Sequence, residues 1–196
     1  MRGNDGRISL SALALALALP AIALAPTAGH AQTGDEARRR ESLATFAGMA
    51  PVLQHPRCLN CHSVTQYPTQ GNDKRRHISG VVRGADDKGA AGLRCVSCHQ
   101  PSNNASSRAP GALHWQMPPI SMGWEGKTPA ELCRTLVDPV TNGGRDPAAI
   151  ARHMREDPLV QWAWSPGSER SAPPIDRSAF HTLAKTWADT GAACPD

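Results

Sequence analysis

The stretches Cys58-Leu59-Asn60-Cys61-His62 and Cys95-Val96-Ser97-Cys98-His99 carry most of the information in this chain. C-x-x-C-H is the attachment site of a c-type haem. Two thiols one helical turn apart reach the two vinyl groups on one edge of the porphyrin. The histidine that follows then points its imidazole at the iron from the same side. Two such motifs predict two covalent haems, with thioethers at the four cysteines and His62 and His99 as proximal iron ligands.

Three other uses of the paired cysteines are weaker. A zinc site of two C-x-x-C pairs has about 15–20 residues between them, whereas the whole of segment 62–94 separates Cys61 from Cys95 here. A thioredoxin-like redox pair needs a βαβ pattern, and neither motif lies in one. Two ordinary disulfides stay open for an exported chain.

The sixth ligand of each iron decides between an electron carrier and a catalyst. His77 follows His62 at the same spacing at which His114 follows His99, so the pattern C-x-x-C-H-x14-H occurs twice. This repeat makes His77 and His114 the candidate distal ligands, each serving its own haem or the neighbouring one. Both also have a plainer interpretation, His77 on a basic face after Lys74-Arg75-Arg76 and His114 beside a buried tryptophan.

Met117 and Met122 are the alternative distal ligands, in the segment Met117-Pro118-Pro119-Ile120-Ser121-Met122. A methionine beside proline in a loop can present its thioether to iron, and Met ligation raises the reduction potential. Either methionine can equally fill a gap in the core. His/His and His/Met ligation therefore both remain open.

The remaining cysteines, Cys133 and Cys194, predict a disulfide because an even remainder in an exported chain favours pairing. This bond would close a loop of about 60 residues, which corresponds to about 4 kcal/mol in the chain-entropy model. Two buried free thiols are the alternative.

The N-terminal segment 1–31 predicts a signal peptide. Arg2 and Arg7 precede an apolar run, and the small residues of Thr27-Ala28-Gly29-His30-Ala31 suit cleavage after Ala31. An uncleaved anchor is the alternative, because the mostly apolar stretch from Ile8 to Ala25 is near the short limit of a membrane span. Either interpretation predicts export, most simply to a bacterial periplasm, with residues 32–196 forming one dihaem domain.

The amino-acid composition and the predicted helices indicate the fold class and limit the kinds of partner. Aromatic residues make up 4% of the 196 residues, with 17 Gly and 17 Pro, so side chains alone would fill a core poorly. Helices are predicted from about Asp35 to Leu53, from Pro129 to Val137, from Pro147 to before Pro158, and from about Asp176 to Asp189. No stretch alternates like a strand, which predicts an all-α fold with long loops around haem. A formal charge of +4 without a basic stripe argues against nucleic acid.

Longer stretches give the chain a family resemblance. They are HPRCLNCH (55–62), YPTQGND (67–73), VVRG (81–84), CVSCH (95–99), HWQMPPISMGWEGKTPAELC (114–133), NGGR (142–145) and WAWSPG (162–167). The chain resembles small exported dihaem c-type cytochromes, and more narrowly the bacterial family labelled "isoquinoline 1-oxidoreductase subunit". That label implies a redox partnership with a molybdenum hydroxylase or another periplasmic dehydrogenase. The chain itself is too short for a molybdopterin domain.

The predicted function is electron transfer between partner proteins. A dihaem peroxidase or a small-ligand sensor with one open iron is the enzymatic alternative. Membrane association is expected only if the N-terminal segment stays as an anchor.

Overall fold

A computed structural model describes residues 28–167 and 169–196, with side chains from residue 33 onward. The chain is mostly helical. Its helices are α1 (Ala28–Leu53), α2 (Pro56–Leu59), α3 (Cys95–Cys98), α4 (Pro129–Val137), α5 (Pro139–Asn142), α6 (Pro147–Glu156), α7 (Pro158–Trp162) and α8 (Arg177–Asp189). Two single 3-10 turns span Ile78–Gly80 and Ile120–Met122. None of the described helices is both long and apolar enough to cross a membrane.

Aspartate and proline set the helix boundaries in the second half. Thr128 forms a capping box with Glu131 at the start of α4, the helix predicted from Pro129 to Val137. Asp138, Asp146 and Asp157 accept hydrogen bonds from the first turns of α5, α6 and α7, and each is followed by proline. The predicted ends of two helices are confirmed, because α4 ends at Val137 before Asp138-Pro139 and α6 ends at Glu156 before Pro158. The short helices α5 and α7 that follow were not predicted. An Asp-Pro pair ends one helix and also supplies the N-cap and first residue of the next.

The main core lies where α8 packs against α1 and α6, with α4 alongside. Phe46 and Met49 of α1 are buried as their spacing predicts, and the Phe46 ring lies 5.7 Å from the ring of Trp187 in α8. Cys133 of α4 is disulfide-bonded to Cys194, with their Cα atoms 5.5 Å apart. The predicted disulfide is therefore present, and it holds the C-terminal tail on α4.

Residues 54–128 are mostly irregular and contain two small antiparallel hairpins that were not predicted. One pairs β1 (Thr69–Gln70) with β2 (Arg75–Arg76), and the other pairs β3 (Gly89–Ala90) with β4 (Leu93–Arg94). Two-residue strands are too short to show alternation, so a periodicity search misses them. The all-α expectation thus holds only in the coarser form of a mostly helical chain.

The predicted signal peptide (residues 1–31) lies almost entirely outside the described residues. The cut predicted after Ala31 lies within the first turn of α1, which begins at Ala28. Among the described side chains of α1, the first buried one is Ser42. Removal of residues 1–31 would therefore leave the buried face of α1 intact.

Candidate functional site

Each C-x-x-C-H motif forms its own single turn of helix, and the two turns have the same backbone hydrogen bond. The His62 backbone N–H donates to the carbonyl of Cys58 at 2.9 Å, and the His99 N–H donates to the carbonyl of Cys95 at 3.0 Å. Each pair of cysteines is therefore one helical turn apart, and all four are free thiols. Pro56 begins the first turn, with His55 as its N-cap.

A backbone carbonyl and a tryptophan hold the ring of His62. Its Nδ1 lies 2.7 Å from the carbonyl oxygen of Met122, and its ring stacks on Trp124 with centres 3.4 Å apart. A carbonyl only accepts, so Nδ1 carries the proton and Nε2 keeps a lone pair. Burial lowers the pKa of His62 to about 3, which keeps the imidazole neutral as a metal ligand must be.

The ring of His99 is held in the same way. Its Nδ1 lies 2.7 Å from the carbonyl oxygen of Pro110, and its ring stacks on Trp115 with centres 4.2 Å apart. Burial lowers the pKa of His99 as well. Gly111 allows the Pro110 loop to come this close, because a Cβ there would collide with the carbonyl oxygens of Gln100 and Ser102.

Burial is the main influence on the pKa values of the two thiols in the first motif. Burial raises the pKa of Cys58 to about 12 and that of Cys61 to about 11. Cys58 and Cys61 are therefore protonated at neutral pH.

A cavity of about 700 Å³ opens beside the motifs, a volume typical of cofactor sites. Cys61 from the first motif and Cys95, Cys98 and His99 from the second line it. Its apolar walls include Ile78, Val81, Leu93, Trp115 and Trp162. The cavity therefore lies mainly on the second motif and borders the first.

The charged residues that line the cavity are mostly arginines. The acidic ones are Asp73 and Glu169, and the arginines are Arg57, Arg75, Arg94, Arg108 and Arg170. The Arg57 side chain is buried and donates from Nη2 to the carbonyl of Gly71 at 2.7 Å. Its Nε is buried without a partner. Arg170 donates to two backbone carbonyls. In the part of the chain that the structure describes, neither Arg57 nor Arg170 pairs with a carboxylate.

The two candidate distal histidines lie in different surroundings. His77 lines the cavity, and its ring centre lies 5.9 Å from that of His99. His114 is exposed, has a backbone φ of 60°, and does not line the cavity. The spacing repeat in the sequence is therefore not a repeat in space.

The two candidate methionines also differ. Met117 is buried and lines the cavity. The buried Arg83 donates to the carbonyls of Pro118 and Ser63, which ties the Met117 segment to the residue after His62. Met122 gives its carbonyl to Nδ1 of His62, on the far side of that ring from Nε2, and its side chain packs against the main core.

The side chains at this site are of the kinds that bind haem. Each motif places two thiols and an imidazole on one helical turn, and the cavity beside them has apolar walls and arginines in its lining. The unpartnered Nε of the buried Arg57 is a donor suited to a carboxylate, and haem carries two propionates. Among residues 33–167 and 169–196, no group of three or more His, Cys, Asp or Glu is placed to bind a metal ion directly.

Sequence reasoning missed several residues of the site. The stacking of Trp115 and Trp124 on the two motif histidines was not predicted from the sequence. Asn60, Arg57 and Gly111 had no signal of their own. A scan against family models, a search of curated proteins and a search of solved structures found no match to this chain.

Proposed function

We propose that this chain is an exported electron-transfer protein with two covalently attached c-type haems, around which its helices and loops pack. The observation that carries the proposal is the repeated geometry of the motifs. In each, a one-turn helix presents two thiols and a histidine whose Nδ1 bonds a backbone carbonyl and whose ring stacks on tryptophan. Carbonyl bonds of this kind fix the tautomer and orientation of metal-binding histidines.

Each side chain has a definite task in this proposal. Cys58, Cys61, Cys95 and Cys98 add their S–H groups across vinyl groups, so that sulfur bonds one vinyl carbon and the hydrogen goes to the other. His62 and His99 present Nε2 to iron. Arg57 and Arg170 bind propionate carboxylates at the cavity rim. Haem, when bound, supplies a one-electron ferric–ferrous couple.

Proximity of the motifs supports electron transfer between the two centres. Cys61 of the first motif lines the same cavity as Cys95, Cys98 and His99 of the second. Haems attached at these cysteines would therefore lie near each other. An electron that enters at one centre then has a short path to the other.

The same cavity argues for saturated irons. His77 and Met117 both line it, so two distal donors are available beside the motifs. A six-coordinate iron transfers electrons without binding oxygen or peroxide. The alternative function, a dihaem peroxidase or a small-ligand sensor, requires one iron without a protein ligand on its distal face.

Partners and location follow from the sequence rather than from the fold. The N-terminal segment favours the periplasm, with membrane attachment only if it is retained. The family resemblance favours a molybdenum hydroxylase or another periplasmic dehydrogenase as the redox partner. Nothing in the composition favours nucleic acid.

The test is production of the full chain in a periplasm that attaches c-type haem. Mass spectrometry and alkaline pyridine spectra are expected to give two haems per chain. The double variant Cys58→Ser/Cys61→Ser and the double variant Cys95→Ser/Cys98→Ser should each retain one haem. Cys133→Ser/Cys194→Ser is the matched control and should retain both. A wild-type chain without covalent haem would end the proposal.

Carbon monoxide distinguishes the two functions. The reduced spectrum of an electron carrier with two saturated irons should not change promptly when carbon monoxide is added, because each distal ligand must leave before the gas can bind. A shift in about half of the haem absorbance would show one open iron and would favour the peroxidase or sensor.

A further inference from the structure

We infer that His77 and His99 are the two axial ligands of one iron, that of the haem attached to Cys95 and Cys98. The sequence segment that follows the first motif would then supply the distal ligand of the second haem. This inference rests on the proposed function and names the ligand pair of one of its two centres.

The separation of the two rings carries the inference. Their centres lie 5.9 Å apart. An imidazole nitrogen binds a first-row transition metal at about 2 Å, so two imidazoles on opposite sides of one metal ion have ring centres about 6 Å apart. The pair therefore has the spacing of two axial ligands.

The tautomer of His77 agrees with this role. Its Nδ1 lies 2.8 Å from the carbonyl oxygen of Ile78, as Nδ1 of His99 lies against the carbonyl of Pro110. Both rings therefore carry the proton on Nδ1 and keep the lone pair on Nε2. His55 differs, because its Nδ1 accepts the Arg57 backbone N–H.

The β1–β2 hairpin fixes the position of His77. His77 follows β2 directly, and its backbone N–H donates to the carbonyl of Pro68 at 3.1 Å. The hairpin is bonded in turn to the first motif. Asn60 donates from Nδ2 to the carbonyl of Gly71 at 3.0 Å and accepts from the Thr69 hydroxyl at 2.9 Å.

The first motif thus holds the hairpin that carries His77 to the second motif. His77, His99, Cys95 and Cys98 all line one cavity. His114, which occupies the matching place in the sequence repeat, lies outside it and is exposed. The distal ligand of the second haem therefore comes from the segment after the first motif and not from the matching place after the second.

The main test compares His77→Ala with the matched control His114→Ala in the reduced holoprotein. His77→Ala should make about half of the haem absorbance sensitive to carbon monoxide, and added imidazole should reverse the change by occupying the vacant position. His114→Ala should stay as insensitive as the wild type. A His77→Ala protein with two covalent haems and no response, or a response only in His114→Ala, overturns the inference.

One-haem backgrounds identify which iron His77 serves. In Cys58→Ser/Cys61→Ser, which retains only the second haem, His77→Ala should make all of the remaining absorbance sensitive to carbon monoxide. In Cys95→Ser/Cys98→Ser it should change nothing. The reverse pattern would place His77 on the first haem and refute the pairing.

A measurement on the wild-type chain does not depend on any variant. The two ring planes meet at 73°. Nearly perpendicular imidazole planes give a highly anisotropic low-spin ferric signal in electron paramagnetic resonance, whereas parallel planes give an ordinary rhombic signal. A spectrum without the anisotropic signal, from a protein with two covalent haems, contradicts the pairing but leaves the proposed function in place. Absence of covalent haem contradicts the proposed function itself.

Discussion

Substitution of Asn60 by alanine tests whether the first motif holds a ligand of the second. Asn60 is 9% exposed and lies between the two cysteines of the first motif. Its side chain makes two hydrogen bonds to the β1–β2 hairpin, one to Gly71 and one with Thr69. The thioether cysteines and His62 remain, so both haems should still attach.

The expected magnitude follows from those two bonds. A buried intramolecular hydrogen bond contributes about 0.5–1.5 kcal/mol net, so their loss destabilises the hairpin by about 2 kcal/mol. The Gly71 carbonyl keeps its bond from Arg57, and the Thr69 backbone N–H keeps its bond to the Asn60 carbonyl. The hairpin therefore loosens rather than unfolds.

Carbon monoxide uptake provides the assay. The gas binds a six-coordinate iron only after the distal ligand leaves, and about 2 kcal/mol raises the population of the open form by about 30-fold. Asn60→Ala should therefore speed carbon monoxide binding at the second haem by up to about 30-fold, while the first haem stays inert.

Ser97→Ala is the control, since Ser97 occupies the same position of the second motif and is exposed. Urea unfolding of both ferric holoproteins should show a loss of about 2 kcal/mol in Asn60→Ala alone. Equal stability and equal carbon monoxide kinetics in the two variants would refute the reasoning.

Three further changes give distinct outcomes. Gly111→Ala should displace the Pro110 carbonyl from His99, and the weaker hydrogen bond lowers the basicity of the ligand. A redox titration should then show a higher potential at the second haem only, and unchanged potentials would contradict this. Cys133→Ser/Cys194→Ser should lower the free energy of unfolding by about 4 kcal/mol with haem content unchanged, as urea unfolding can measure. Hydrogen bonds from Thr128 hold the pKa of Glu131 below its usual range, so the carboxylate stabilises the fold near neutral pH and this stabilisation disappears as the pH falls through that pKa. Glu131→Gln should therefore melt below the wild type at neutral pH and close to it in acid, and a pH-independent difference would argue against the cap.

Much of the helical frame was predictable because its signals are local. The capping box at Thr128, the helix of residues 147–156 and the helix ending at Asp189 all follow from caps and apolar spacing within a few residues. The disulfide followed from counting cysteines. The hairpins did not, because their strands are two residues long and their register depends on bonds to a distant segment.

The site was only partly predictable for a related reason. The four thiols and two histidines can be recognised because they are neighbours in the sequence. The residues that surround them in the fold come from distant parts of the chain. His77 and His114 are equally good distal-ligand candidates in the sequence. In the fold, His77 lies beside His99, whereas His114 is exposed to solvent. The tryptophans that stack on His62 and His99 lie well beyond each motif in the chain, and no periodicity links them to those rings.

The bonds between the first motif and the β1–β2 hairpin also bear on how such a chain can be divided. A fragment beginning after His77 would keep Cys95, Cys98 and His99, yet it would lack the imidazole that lies beside His99. A fragment ending before Cys95 would carry that imidazole with no partner to meet it. If His77 binds the iron of the second haem, as we infer, recombination could not exchange either motif alone without loss of a ligand. A substitution at Asn60 in the first motif would then also affect the second haem, through the hairpin that Asn60 holds.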